Sequence, residues 1–302
     1  MLKQPTVPDE LVSRPIQPEG RSWRRVREKI GGNITLLLLL FWALVSWFPL
    51  YWMVLTSFKK GQQAQALPPG LWLKEPTLES YQHVLSSTFP VLRWLANSLF
   101  VSVTVTVFGL LLCAAAGYAF ARKRFRGRDI IFWMVLSTMM LPGFSRLIPA
   151  FMLTLLLNLH DTYWVMILPG LASPYAVFLI RQFMLTLPSE LFDQARIDGA
   201  GEIRLWWQIA LPLTKPALAA LGTFTFVATW NDFVWPLAVI NDLKLMPIQV
   251  GVTLLRGMER TGRNDYPIAM ASGVLMAVPP VIIFFLFQQY FIRGLTIGAL
   301  KG

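Results

Sequence analysis

The sequence predicts an all-α membrane protein with six transmembrane helices, and three observations predict it. Only 14% of its 302 residues are charged, against the roughly 25% typical of a soluble domain, while 55% are hydrophobic. The apolar residues stand in long blocks, not at the spacing of an amphipathic helix or strand. The Lys and Arg residues stand between those blocks and favour alternate loops.

The same composition excludes other classes. A disordered chain is poor in aliphatic and aromatic residues, and this one is rich in both. A disulfide scaffold is excluded because Cys113 is the only cysteine. The net charge of +11 suggests nucleic acid until the positions of the charges are read. They follow a membrane topology, so no nucleic-acid surface is needed to explain them.

A helix needs roughly 20 mostly apolar residues to cross the hydrocarbon core. No charged residue occurs from Ile30 to Phe58, from Trp94 to Ala121, or from Tyr266 to Ile292, which predicts spans at 30–58, 94–121 and 266–292. The middle of the chain gives three more, at 130–157, 162–181 and 216–240. Arg146 interrupts the first of these, His160 and Asp161 separate it from the second, and Asp232 lies inside the third. Eighteen of the 27 basic residues then fall before the first span, in 122–128, in 181–215 or after the last span. Both termini are therefore expected to be cytoplasmic. Lys59 and Lys60 run against the rule and are outweighed by the basic cluster before Ile30.

Residues 1–29 read as a mobile basic tail, punctuated by Pro5, Pro8, Pro15 and Pro18. Ala64-Gln65-Ala66 looks like a cleavage site, but the preceding apolar run is about twice the 7–15 residues of a signal peptide, so it reads as a permanent anchor.

The spans are not uniform. Leu141-Pro142-Gly143, Pro169-Gly170, Ser173-Pro174 and Pro279-Pro280 each remove backbone donors inside an apolar run, and breaks there are expected. One such kink is ordinary packing; four favour a cavity with moving parts. Gly109, Cys113 and Gly117 recur at four-residue spacing, as do Gly273 and Ala277, which lets helix backbones approach closely. Arg146 and the cluster Trp230-Asn231-Asp232 bring polarity into apolar surroundings. Such groups mark a pathway or a partner. Arg146, Trp230, Asn231 and Asp232 are the substrate-pathway candidates, with an interfacial cap or ion pair as the plainer role for Asp232.

No catalytic or metal site is expected. The chain has no Gly-Lys dipeptide and so no P-loop. His83 and His160 lack zinc-ligand spacing, there is no G-x-S-x-G elbow, and Cys113 reads as packing.

The loop at about 182–215 carries the most information. Ser189 suits a helix start, with Glu190 and Asp193 at its positive end. Gly199 suits the left-handed residue that ends such a helix. A second short helix with Arg204, Trp206, Trp207 and Ile209 is expected to stop at Leu211-Pro212, and Pro216 then opens the fifth span. The result is a helix–turn–helix under the membrane with apolar residues that need a cover; lipid interface is one candidate.

At this point the sequence resembles a known family. The permease subunits of bacterial binding-protein-dependent ABC importers carry E-A-A, three residues, G, nine residues, I-x-L-P. Here Asp193-Gln194-Ala195 precedes Arg196-Ile197-Asp198 and Gly199, and Ile209-Ala210-Leu211-Pro212 follows at the family spacing. Asp193 and Gln194 replace Glu and Ala. Arg196-Ile197-Asp198-Gly199-Ala200, Leu168-Pro169-Gly170, Trp230-Asn231-Asp232-Phe233 and Arg293-Gly294-Leu295-Thr296 are similar to the carbohydrate, maltose-type branch.

The resemblance implies a type I importer permease fold in the bacterial cytoplasmic membrane. It implies a coupling role for Asp193, Gln194, Ala195, Asp198, Gly199, Ile209, Leu211 and Pro212. It also implies partners: a second permease subunit, two copies of a P-loop ATPase that bind the ATP and Mg this chain lacks, and an extracytoplasmic solute-binding protein. A secondary transporter or channel without an ATPase would explain the spans, but gives no reason for the fixed spacing around Gly199.

Overall fold

The computed structural model describes residues 20–299 except 65, 67, 69, 87–89 and 259–264. Every regular element among the described residues is helical. Four helical stretches are long and apolar enough to cross a bilayer: Ile34–Ser57, Val91–Arg122, Tyr163–Leu185 and Tyr266–Gln288. Two further pairs, each sharply bent, bring the number to six if each counts as one span.

Residues up to Trp52 and those from Met53 onward form separate compact units. The first unit is most of α1 (Gly20–Ser57), whose side chains are exposed from Ile34 through Leu50. Apolar on every side, that stretch suits lipid and not a water-facing surface. Residues 1–19 of the expected tail lie outside the described residues, and 20–29 belong to α1.

The second unit begins with two short helices, α2 (Gly61–Ala64) and α3 (Glu79–Ser86), and is organised around α4 (Val91–Arg122). The next span is not straight. α5 (Arg128–Ser137) and the following turn meet Gly143–Leu156, which contains α6 (Leu147–Leu156), at 104°. The bend falls at Leu141-Pro142, where the missing donor was expected to break the ladder. α7 (Tyr163–Leu171) and α8 (Pro174–Leu185) form the fourth span with a gentler break at Ala172-Ser173. Pro169 lies inside α7, so the break comes three residues after it; Ser173 caps the new helix and Pro174 takes its first turn.

The small-residue stripe on α4 receives this span. A methyl group on Gly117 would lie 2.7 Å from Ile180 Cγ2, and one on Gly109 3.3 Å from the Gly170 carbonyl oxygen. In turn, a methyl on Gly170 would lie 2.7 Å from Val105 Cγ1. Backbones approach where side chains are missing, which is how helices associate when lipid is as apolar as leucine.

After α9 (Ser189–Ile197), the chain turns into α10 (Glu202–Arg204), a π-turn (Leu205–Ala210) and α11 (Leu211–Leu213), which run on as one segment. It meets α12 (Lys215–Trp230) at 76°. The fifth span was expected to run to Ile240, but α12 ends at Trp230. Asn231 and Asp232 interrupt it: the Asp232 carboxylate accepts from the Trp235 N–H at 3.4 Å and helps start α13 (Val234–Val239). α14 (Ile248–Met258) follows, and then α15 (Asp265–Ala299), which runs through Pro279 and Pro280 without the expected break.

Two buried clusters result, and α4 belongs to both. One gathers Trp94, Val101 and Val105 with Val165, Trp230, Ile240, Ile248 and Val250. The other gathers Cys113, Ala114 and Tyr118 with Ile180, Met184, Phe192, Leu205 and Ala210.

Candidate functional site

The segment from Leu187 to Thr214 is an elbow folded against the C-terminal end of α4. Its corner is a Schellman turn. The Gly199 N–H donates to the Arg196 carbonyl and the Ala200 N–H to the Ala195 carbonyl, at 3.0 and 2.9 Å. Gly199 has φ +80°, so the left-handed residue expected from the sequence is present. Asp198 sits at the helix end just before it.

One face of the elbow is inward. Phe192 is 1% exposed, and its ring lies 6.3 Å from that of Tyr118 and 4.4 Å under the Arg122 guanidinium. Ala195, Ala200, Ile209 and Leu211 pack on the same cluster. Leu205 and Ala210, five residues apart, are both fully buried, a spacing that the π-turn provides and an α-helix would not.

The other face is uncovered and apolar. Ile197 is 85% exposed and Ile203 81%, and Trp207 is exposed as well. Asp193 and Gln194 are also exposed, and Asp193 pairs with Arg196 at 2.9 Å. Pro212 is exposed in the last turn before the 76° bend. Of the eight residues predicted here, the structure therefore splits the set: Ala195, Ile209 and Leu211 fix the elbow to the bundle, Gly199 makes the corner, and Asp193, Gln194, Asp198 and Pro212 face outward.

Sequence reasoning missed the residues that fasten the elbow. The Glu202 carboxylate accepts from the Tyr118 hydroxyl at 2.9 Å and from Lys123 Nζ at 2.7 Å. Arg122 donates to the Met184 and Leu187 carbonyls at 2.6 and 2.5 Å. A carboxylate opening the second helix, with Tyr-x-x-x-x-Lys at a span end, was visible in the sequence but had no spacing rule to link them.

The substrate-pathway candidates do not form one cluster. Trp230 is 1% exposed, stacks on Phe226 and donates Nε1–H to the Met276 carbonyl at 3.0 Å. It is a buried residue of the bundle in this structure. Asn231 is exposed and Asp232 half-buried at the same helix end. Arg146 is exposed on a different element, at the 104° bend.

At the far end of α4 a second polar arrangement holds the segment 241–248. Trp94 Nε1–H donates to the Leu243 carbonyl at 2.6 Å. Asn97 donates to the Lys244 and Met246 carbonyls at 2.9 and 3.0 Å and accepts from the Tyr163 hydroxyl at 2.8 Å. Ser98 Oγ accepts from the Ile248 N–H at 2.8 Å, satisfying an orphan donor of α14. Asp161, at φ 55°, accepts from the Asn241 and Asp242 N–H groups at 2.6 and 2.9 Å.

Burial pushes the Asp161 carboxyl up, but the N–H groups of Asp242 and Asn241 and the neighbouring His160 outweigh it, and the net shift is downward. A depressed carboxyl stabilises the fold above its unfolded pKa and loses that contribution as pH falls through the lower folded value. Amide exchange at 241–242 is therefore expected to be slow and pH-independent, once corrected for intrinsic rate, until pH drops below about 4. Opening of these amides between pH 5 and 7 would contradict this.

A multi-pass helical membrane protein with a folded elbow between two spans is thus defined. Residues 109–297 match the family described as the binding-protein-dependent transport system inner membrane component, and the chain belongs to that family. It is similar to an arabinooligosaccharides transport system permease protein, AraQ, of Halalkalibacterium halodurans, at 37% identity over 87% of this chain and 94% of the relative. It is similar to an sn-glycerol-3-phosphate transport system permease protein, UgpE, of Yersinia pestis, at 36% identity over 86% of this chain and 94% of the relative. Among solved structures, a bacterial ABC transporter involved in the import of the acidic polysaccharide alginate matches with a TM-score of 0.76 and 23% identity, over 92% of this chain and all of that one. The fold is therefore that of an importer permease.

Proposed function

We propose that this permease forms half of a translocation pathway for a sugar or oligosaccharide, with six spans and both termini in the cytoplasm of a bacterium. Each bent pair then counts as one span, and the elbow at 182–215 lies on the cytoplasmic side. A second, similar permease subunit completes the pore as a heterodimer. Two copies of a P-loop ATPase bind ATP and Mg and dock on the elbow, and a solute-binding protein delivers cargo from outside.

The observation that carries this reading is the elbow itself: a Schellman corner at Gly199 whose inner face is locked to the bundle while Ile197, Ile203 and Trp207 stand uncovered. A lipid-resting helix pair needs no fixed corner, whereas a lever does. The carbohydrate assignment draws on the relatives, whose names specify arabinooligosaccharides and sn-glycerol-3-phosphate. Asn231, Asp232 and Arg146 remain the polar candidates toward the solute.

The test is purification of the chain from its native membrane. A P-loop ATPase is expected to accompany it and to hydrolyse ATP faster when a sugar-loaded binding protein is added. Ile203→Glu should release the ATPase, because it places a charge in the apolar docking face. Uptake of cargo without nucleotide would refute the reading, and Asp232→Ala with unchanged uptake would remove Asp232 from the pathway.

A further inference from the structure

The elbow is gripped at three points by one end of α4. Arg122 holds the carbonyls of Met184 and Leu187 on the way in and covers the Phe192 ring. Tyr118 and Lys123 hold Glu202 on the way out. Arg196 of the docking helix lies 3.8 Å from the same carboxylate. The other end of α4 grips 243–248 through Trp94, Asn97 and Ser98. From Asn97 to Tyr118 the helix rises about 32 Å, close to the roughly 30 Å of a bilayer core.

α4 is suited to carry a displacement over that length. Among the described helices of span length it is the one without an interior proline: α1 contains Pro49, the α7–α8 span Pro169 and Pro174, and α15 Pro279 and Pro280. Proline is where a helix bends, so its absence keeps the rod stiff.

The fasteners at the two ends differ from packing. Asn97 is buried, and a buried amide is costly unless bonded. Both its amide protons reach carbonyls of one short segment, which fixes that segment's position along α4. Glu202, Lys123 and Arg196 are partly exposed, so their ion pairs contribute little to folding. An arrangement that adds little stability yet joins three elements is suited to transmission.

We infer that α4 is the rod through which movement of the elbow reaches segment 243–248 on the opposite side, with Glu202 and Asn97 as the positioning residues that join it at each end. This rests on the elbow being the face that the ATPase moves. The differential is mechanical: an elbow shifted with the ATPase draws Tyr118 and Lys123 with it, and the stiff helix moves the loop held by Asn97.

The test uses the whole importer in proteoliposomes, reading three quantities: ATPase retained, basal hydrolysis, and stimulation by loaded binding protein. Glu202→Ala, and separately Tyr118→Phe, should keep the ATPase and basal hydrolysis but lower stimulation and uptake about fivefold. Glu202→Gln, which keeps an oxygen acceptor for the Tyr118 hydroxyl, should recover part of the stimulation that Glu202→Ala loses. At the far end Asn97→Asp should lower stimulation in the same way, and Ser98→Ala, which removes one acceptor only, should do so more mildly. A merely structural role would lower all three quantities together. Full stimulation in Glu202→Ala, or a Glu202→Gln variant no better than Glu202→Ala, would refute the rod while leaving the elbow's docking role intact. Absence of the ATPase from the wild-type particle would instead refute the docking role, and the rod with it.

Discussion

Gly251→Ala is expected to destabilise the fold strongly. A methyl group at this position would lie 2.2 Å from Cδ2 and Cε3 of the Trp94 indole, well inside contact distance. The ring has no easy retreat. It is fully buried, and its Nε1–H is held by the Leu243 carbonyl at 2.6 Å. Moving the ring forfeits that bond, worth about 1–3 kcal/mol when a buried group is left unpaired. Moving α14 instead disturbs Ile248 and Val250, both fully buried, at a typical overpacking cost of about 1–3 kcal/mol. Either cost is a sizeable fraction only of the lower end of a domain's net stability of roughly 5–15 kcal/mol, and shows as a lowered melting temperature. Thermal unfolding of the detergent-solubilised protein measures it. Trp94→Leu combined with Gly251→Ala should unfold at a higher temperature than Gly251→Ala alone, since the clash partner is gone. A wild-type melting curve for Gly251→Ala would show that the indole and α14 are not in this contact.

Gly199→Val is expected to leave the protein in the membrane at its normal level while abolishing most transport. No heavy atom lies within 4 Å of where a side chain at Gly199 would begin, so space is not the obstacle. The obstacle is φ +80°. A left-handed conformation costs a non-glycine residue about 1–2 kcal/mol and a β-branched one more. A penalty near 1.4 kcal/mol lowers the ratio of formed to unformed corner about tenfold. The order of activity should be Gly, then Asn, then Ala, then Val, because Asn visits the left-handed region more readily. Uptake measured against membrane abundance tests this. Equal transport in the Val and Asn variants would mean that the corner has no part in coupling.

The two glycines differ in how far the sequence revealed them. Gly199 stood at the end of an acidic-started helix and at a recognised spacing, so its backbone role was legible. Gly251 was not, because α14 itself was not expected. Gln249 and Thr253 interrupt its apolar pattern, and it packs on protein instead of meeting the length demand of lipid. The three charge-free runs were legible for the opposite reason: a bilayer requires length, and length survives in one dimension. The small-residue stripe on α4 was legible as a packing face, but its partner was not. The prolines misled in part. Leu141-Pro142 marks a bend of 104°, while Pro279-Pro280 lies within a continuous helix. Trp230 was read with its polar neighbours, and nothing in the sequence signalled that its indole packs on Phe226 and bonds the Met276 carbonyl. Glu202, Tyr118 and Lys123 meet only in three dimensions, and no local pattern joins them.

The π-turn gives the return limb two repeats at once. Leu205 and Ala210, five apart, point to the bundle, while Ile203 and Trp207, four apart, stay outside. One surplus residue thus separates the alignment of the two faces. Deleting any single residue between 205 and 210 would leave greasiness, charge and length almost untouched. It would nevertheless let the wide turn close to an ordinary α-helical one, which keeps the flanking limbs in register but takes away the five-residue spacing that buries both Leu205 and Ala210. In this stretch an extra residue is a heavier lesion than a missing one, because it would turn one limb against the other by about 100°.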